Sequence, residues 1–259
     1  MLLAADVGNT EIVLGVFREA QLEQTWRLST QAERTPDELG LALSGFLAQR
    51  GISIEDDITG VVVASVVPVV TAAFREMAAH AFAFPPVMVG PGTKTGVPIL
   101  TDNPREVGAD RVVNTLAAFT RFGGPCVVVD FGTSTNFDVV SPKGEFLGGV
   151  IAPGIQVSAA SLFARTARLT RVELVAPPNV VGKSTVEAIQ SGLIFGTAGE
   201  VDAVVERIKG EIGPATVVAT GGLAPVVIPH CHTVDHHEPW LTLEGLRLVF
   251  EKNVVTSDD

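Results

Sequence analysis

The stretch VVVDFGTSTNFDVV, Val127–Val140, decides the fold. An apolar run of the kind buried in a sheet ends in a carboxylate, Asp130, passes through Gly132 and a cluster of hydroxyls, and turns apolar again. That is the pattern of two strands joined by a tight polar turn. LLAADVGNTEIVLGVF, Leu2–Phe17, has the same layout: Asp6 closes a strand-like run, Gly8 follows two residues later and Thr10 two after that. Glycine lets the backbone approach a ligand closely, and turn N–H groups beside Ser or Thr hydroxyls suit phosphate oxygens. A carboxylate there acts on phosphate only through Mg²⁺ or another cation, or through a cation's water shell. One such turn is an ordinary hairpin. Two of them in matching places suggest a pair of turns that holds a nucleotide triphosphate.

Reading outward, the first half predicts strands at residues 2–7, 12–17 and 22–28 with short connections that favour antiparallel pairing. Thr35, Pro36 and Glu38 then form a capping-box pattern that starts a helix running to about Arg50. A continuous β-branched run around ITGVVVASVV, a helix over residues 69–82 and a short strand at 87–89 follow, giving β-β-β-α-β-α-β. The second half repeats this order: strands at 126–131, 136–140 and 145–151, helices at 155–165 and 185–209, a strand at 215–219 and a closing helix at 241–252. These readings predict an α/β chain of two duplicated lobes, residues 1–115 and 116–259. The Gly- and Pro-rich connection over residues 90–114 is longer than a mere connection needs, which argues for function.

With 259 residues, 46% hydrophobic and 18% charged, the chain has material for two cored lobes and no apolar run near the roughly 20 residues that span a bilayer. The 18 basic and 29 acidic side chains leave a net charge of −11, which argues against a nucleic-acid partner. Two cysteines, Cys126 and Cys231, make no disulfide framework and fit a reducing compartment. Met1 leads straight into a strand, so a cytoplasmic protein without membrane attachment is expected.

The paired Asp-x-Gly turns resemble those of the acetate and sugar kinase, heat-shock chaperone and actin superfamily, whose duplicated ribonuclease-H-like lobes (β-β-β-α-β-α) grip ATP between phosphate loops. TVVATGGLAP, Thr216–Pro225, puts Thr220-Gly221-Gly222 after a buried strand, where that superfamily contacts adenosine. DNPREVGADRVVN sets Gly108, Ala109, Asp110 and Arg111 at a helix N-terminus, a place that favours anions. A kinase needs a base for the acceptor hydroxyl and cations for the phosphoryl group, and Asp110 with Arg111 supplies both.

DVGNT at Asp6, the segment from Pro104 to Arg111, DFGTST at Asp130, GGVIAPGI at Gly148, GKSTVEAIQSG at Gly182, TGG at Thr220 and LTLEGLRLVFEKN at Leu241 together resemble a type III pantothenate kinase along nearly the whole chain. That resemblance implies an ATP-dependent phosphotransferase that makes 4'-phosphopantothenate, the first step of coenzyme A biosynthesis. It implies ATP contacts at Asp6, Val7, Gly8, Asn9, Thr10, Glu11, Ile12, Val13 and Thr133, with Mg²⁺ held through water at Asp6. It further implies a monovalent cation, K⁺ or NH₄⁺, at Asp130, pantothenate at Gly108, Ala109, Asp110, Arg111 and Thr185, Asp110 as general base, and a homodimer.

The chain departs from the family pattern at Glu11-Ile12, which adds a negative charge beside the phosphates, and at Asn136. It has no Tyr, and Thr101 stands where the family carries one before the DNP triplet. These departures motivate a rival reading, a catalytically weak or inactive homologue acting as a ligand-binding or accessory protein. A kinase for another small hydroxy acid or a sugar is the third.

Two motifs look richer than they are. GKST at Gly182–Thr185 lacks the Gly five residues earlier, where Pro177 stands, so it is read as a helix start capped by Ser184 or Thr185 and not as a P-loop. HCHTVDHH, His230–His237, offers imidazole and thiolate for zinc. Its strand-like alternation at CHTV would split the side chains between two faces, which argues against a shared metal.

Overall fold

The computed structural model of the chain describes residues 1–165 and 171–254. They form two compact units. The first comprises Met1–Val97, Asn103–Ala117 and the chain from Thr242 onward; the second comprises Pro98–Asp102 and Ala118–Leu241. The units are therefore not two consecutive halves, because the closing helix returns to the first.

In the first unit β1 (Leu2–Val7), β2 (Glu11–Arg18), β3 (Gln21–Ser29), β4 (Gly60–Ser65) and β5 (Val87–Met88) form one sheet in the order β3-β2-β1-β4-β5. β1 runs antiparallel to β2 and parallel to β4, so it is central and covered on both faces, which is why its sequence is continuously apolar. Helices α1 (Pro36–Ala48) and α2 (Pro68–Ala81) cover one face, packing Leu39, Leu43, Val70 and Phe74 against Leu3, Val7, Leu14 and Val63. Thr35 caps α1 as its sequence predicts: its side chain accepts from the Glu38 amide while the Glu38 carboxylate accepts from the Thr35 amide at 2.8 Å. The connection before the second unit is irregular until a helix, α3 (Ala109–Phe122), begins.

In the second unit β6 (Cys126–Phe131), β7 (Ser134–Val140), β8 (Phe146–Pro153), β9 (Thr216–Thr220) and β10 (His236–His237) pair in the order β8-β7-β6-β9-β10, the order and strand directions of the first sheet. The correspondence extends to irregularities. The β2–β3 register slips between Val16 and Phe17, and the β7–β8 register slips between Val139 and Val140. Each slip falls three residues after the partner of the strand-end acid, since Asp6 pairs with Val13 and Asp130 with Asn136. Helices α4 (Ile155–Ala164) and α5 (Thr185–Ile212) lie over Val127, Val129, Phe131 and Phe137, with Leu193, Ile194, Val201 and Val205 of α5 in the core. After β9 come a single helical turn, α6 (Ala224–Val227), and β10.

The last helix, α7 (Leu241–Val254), belongs from Thr242 onward to the first unit, where it covers the sheet face opposite α1 and α2. Leu243 reaches Gly15, Phe250 fills the space over Gly60, and the Arg247 guanidinium sits 6.0 Å over the Phe17 ring. The glycines on that face are what let the helix approach.

Candidate active site

Each acid sits at the end of the first strand of its sheet, and each following turn is closed by a glycine amide. Gly8 N–H donates to the Glu11 carbonyl at 3.0 Å, and Gly132 N–H donates to the Ser134 carbonyl at 2.9 Å. The turns differ in length. Val7 pairs with Ile12 across four turn residues, whereas Phe131 pairs with Thr135 across three. Asn9 and Thr10 are exposed at the first tip and Thr133 at the second. In the second unit Ser134 Oγ donates to Asn136 Oδ1 at 3.0 Å. Asn136 itself lies opposite Asp130 in the ladder.

Thr220-Gly221-Gly222 folds over the end of β6. Thr220 pairs with Asp130, and Leu223 N–H donates to the Phe131 carbonyl at 3.2 Å. Gly221 has φ +93°, and a Cβ there would stand 2.5 Å from Asp130 Oδ1 and 2.6 Å from Phe131 N. Only glycine permits this approach. Three sequence-predicted features of the second unit, Asp130, Thr133 and the TGG turn, thus meet at one end of its sheet.

The first unit gathers its predicted residues in the same way. Val66 N–H donates to the Val7 carbonyl at 3.1 Å, and the Val66 side chain faces Gly108. The segment Gly108–Arg111 is therefore set near the strand end that carries Asp6. Asp110 is the second residue of α3, its Oδ1 accepting from the Arg111 amide at 2.9 Å, with Gly108 packed against its carboxylate. Burial pushes the Asp110 carboxyl above its usual range, against the lowering effects of the Arg111 amide and the Arg111 charge. A carboxylate of raised pKa is a better proton acceptor than an ordinary one, and such groups gather at active sites.

Glu11 does not leave an unanswered negative charge at the first turn. Its carboxylate lies 3.9 Å from Arg27 Nε, both side chains being about half exposed at 52% and 47%. Such a pair adds little to stability, but it places a cation beside the carboxylate. The register explains the encounter: Glu11 pairs with Ser29 and Val13 with Arg27, so Arg27 is the diagonal neighbour of Glu11.

GKST is a helix start. Ser184 caps α5 by accepting from the Glu187 amide at 3.2 Å, and the Glu187 carboxylate accepts from the Lys183 amide at 2.7 Å. Thr185 is exposed as the first residue of that helix. An open cleft of about 1020 Å³, lined by Phe122, Pro125, Lys209, Thr216, Asp235 and His236, lies where β6 and β9 begin. That is the end of the strands remote from Asp130 and Thr220, and no predicted site residue lines it.

The histidine segment differs from its expected form. The run CHTV is not a strand; Asp202 of α5 accepts from the His232 amide at 3.0 Å, the Thr233 amide at 3.0 Å and Thr233 Oγ1 at 2.7 Å, replacing ladder bonds. His232 Nδ1 lies 2.7 Å from Asp202 Oδ2 and Nε2 lies 3.2 Å from Glu206 Oε1. Among the described residues no group of three or more His, Cys, Asp or Glu is arranged to hold a metal. The hydrogen bond to Glu206, then the Asp202 charge, raises the His232 pKa above 6.5. Because the folded value is the higher one, the latch that His232 forms on Asp202 and Glu206 contributes fully below the ordinary imidazole range and fades as pH climbs through the raised value. A His232→Gln variant is expected to lose the modest fall in melting temperature that the wild type shows between mildly acidic and mildly alkaline buffer; equal pH dependence in both would contradict the latch.

Thr30, Arg27 and Gly154 support these turns; Thr30 and Arg27 carried no sequence signal, and Gly154 lay within the GGVIAPGI motif without a role, since each acts through contacts between strands.

A family model of type III pantothenate kinases matches residues 2–207. The type III pantothenate kinase of Acidothermus cellulolyticus is 56% identical over 256 residues, covering 98% of this chain and 99% of that one. Its namesake from a Parafrankia species is 57% identical over 255 residues, covering 98% of each. Among solved structures, component A of (R)-2-hydroxyglutaryl-CoA dehydratase from Acidaminococcus fermentans superposes with a TM-score of 0.57 at 13% identity, over 97% of this chain and 96% of that one. The ethanolamine utilization protein EutJ from Carboxydothermus hydrogenoformans gives 0.52 at 13%, over 95% of this chain and 89% of that one. At such identities the structures speak for the fold alone, the duplicated arrangement of two five-stranded sheets. The family match spans most of the chain and the relatives span nearly all of it, so the chain belongs to the type III pantothenate kinase family.

Proposed function

We propose that the protein transfers the γ-phosphate of ATP to the hydroxyl of pantothenate, giving 4'-phosphopantothenate for coenzyme A biosynthesis. The observation that carries this reading is the match to pantothenate kinases at 56–57% identity over 98% of the chain. The geometry agrees with it: two Asp-x-Gly turns stand at equivalent places in two sheets of identical order.

Asp6 to Val13 and Thr133 take the ATP phosphates, the turn amides and hydroxyls donating to phosphate oxygens. Gly108, Ala109, Arg111 and Thr185 hold pantothenate, Arg111 drawing its carboxylate. Asp110 accepts the proton of the attacking hydroxyl, and burial has raised its proton affinity for that task. Asp6 and Asp130 bring carboxylate oxygens, hard donors that suit hard cations, to the strand ends. A single carboxylate at Asp6 suits Mg²⁺ bound largely through water and substrate phosphates, and Asp130 suits a monovalent cation, K⁺ or NH₄⁺. When bound, these ions neutralise the charge of the phosphoryl groups.

A homodimer in the cytoplasm is part of the same reading. In the second unit the edge strand β8 leaves Ile151 66% exposed and α4 leaves Val157 43% exposed, an apolar edge that suits a second copy. No described helix is long and apolar enough to cross a membrane.

Purified protein supplied with ATP and Mg²⁺ is expected to release ADP only when both pantothenate and K⁺ or NH₄⁺ are present. Pantothenate binding seen by calorimetry without any ADP release would instead identify a ligand-binding homologue.

A further inference from the structure

The two turns share a support that their own sequences do not contain. In the first unit the residue just past β3, Thr30, reaches the turn twice: its amide donates to the Thr10 carbonyl at 2.9 Å and its Oγ1 donates to the Gly8 carbonyl at 2.7 Å. In the second unit the residue just past β8, Gly154, donates its amide to the Thr133 carbonyl at 3.1 Å. Gly154 adds no side-chain bond, because a Cβ there would stand 2.5 Å from both the Gly132 and the Thr133 carbonyl oxygens. A position at the end of the third strand therefore engages the tip of the turn in both halves of the duplicated fold.

The consequence lies in the peptide planes. In a trans peptide the C=O and the following N–H point in opposite directions. Drawing the Gly8 and Thr10 carbonyls toward Thr30 aims the Asn9 and Glu11 amides the other way, and drawing the Thr133 carbonyl toward Gly154 aims the Ser134 amide likewise. Phosphate recognition by a turn depends on which way its N–H groups face.

We propose that Thr30 is a positioning residue for ATP, orienting the amides of the Gly8–Glu11 turn through the Gly8 and Thr10 carbonyls, with Gly154 as its counterpart at the Gly132–Ser134 turn. The proposal rests on the reading of these turns as ATP phosphate sites. Thr30→Val keeps the shape and the backbone donor and removes only the hydroxyl; Thr30→Ser keeps the hydroxyl and removes the methyl.

The test measures KM for each substrate, kcat and the calorimetric ATP affinity of the full-length wild type and both variants. Thr30→Val is expected to raise KM and Kd for ATP by about 3- to 10-fold, the worth of one neutral hydrogen bond, with KM for pantothenate unmoved, and Thr30→Ser is expected to recover the wild-type ATP values. Unchanged ATP constants in Thr30→Val, equal losses for both substrates, or a Thr30→Ser variant as weak as Thr30→Val would each overturn the proposal. If the wild type binds ATP but phosphorylates no pantothenate, the functional reading fails and the calorimetric comparison still decides the role of Thr30. A wild type that binds no ATP overturns both.

Discussion

Asp110→Asn is expected to lower kcat by about 100- to 10,000-fold, the range that a positioned general base contributes, and to leave the protein folded. Asparagine keeps the oxygen that accepts from the Arg111 amide at the start of α3, so the local helix geometry has no reason to change. It also removes a carboxylate whose burial disfavours the charged form, so the variant should be no less stable. The proton acceptor is all that is lost. The pH profile gives a second reading of the same group: Asp110 must be ionised to accept the proton, so kcat/KM falls as pH falls through its carboxyl pKa, and burial places that limb above the ordinary carboxylate value of 3.8. Normal turnover in Asp110→Asn, with unchanged circular dichroism and melting temperature, would assign the base elsewhere.

The second large effect concerns Gly221→Ala. At φ +93° an alanine is strained, and its Cβ would meet Asp130 Oδ1 at 2.5 Å and the Phe131 backbone at 2.6 Å. The displaced atoms are the carboxylate proposed for the monovalent cation and the strand end that leads into the second turn proposed for the ATP phosphates. A cost of about 2–4 kcal/mol follows from backbone strain with overpacking. Thermal denaturation should show it as a lowered Tm, and kinetics as a raised KM for ATP together with a raised requirement for K⁺. A Gly221→Ala protein with wild-type Tm and wild-type ATP constants would mean that the TGG turn does not bear on Asp130.

Much of the fold was legible because it rests on local patterns. The apolar runs before Asp6 and Asp130 are buried on both faces of their sheets, and Thr35-Pro36-Asp37-Glu38 caps α1 by bonds made within four residues. The repeat of Asp-x-Gly corresponds to a repeat of strand order and even of the register slips at Val16 and Val139.

What could not be read depends on partners distant in the chain. The segment CHTV alternates like a strand, yet Asp202, some thirty residues earlier, captures its amides. Glu11 carries a charge that looks misplaced until the β2–β3 register brings Arg27 beside it. Thr30 has no motif at all; its importance appears only when its hydroxyl is seen on the Gly8 carbonyl. For the candidate site, the sequence shows only which residue types stand in which order. The contact that lays Gly221 against Asp130, and the burial that raises the Asp110 carboxyl, needed the third dimension.

The central claim is that pantothenate is the acceptor of the ATP γ-phosphate, and product identification tests it most directly. The full-length protein would be incubated with ATP, Mg²⁺ and K⁺ and a pool of hydroxyl acceptors, namely pantothenate, other small hydroxy acids and sugars, and the products resolved by mass spectrometry. The account predicts one new species, pantothenate carrying a single added phosphoryl group, absent in the Asp110→Asn control. A phosphorylated sugar or hydroxy acid in place of phosphopantothenate, or no phosphorylated product from an ATP-binding protein, would contradict it.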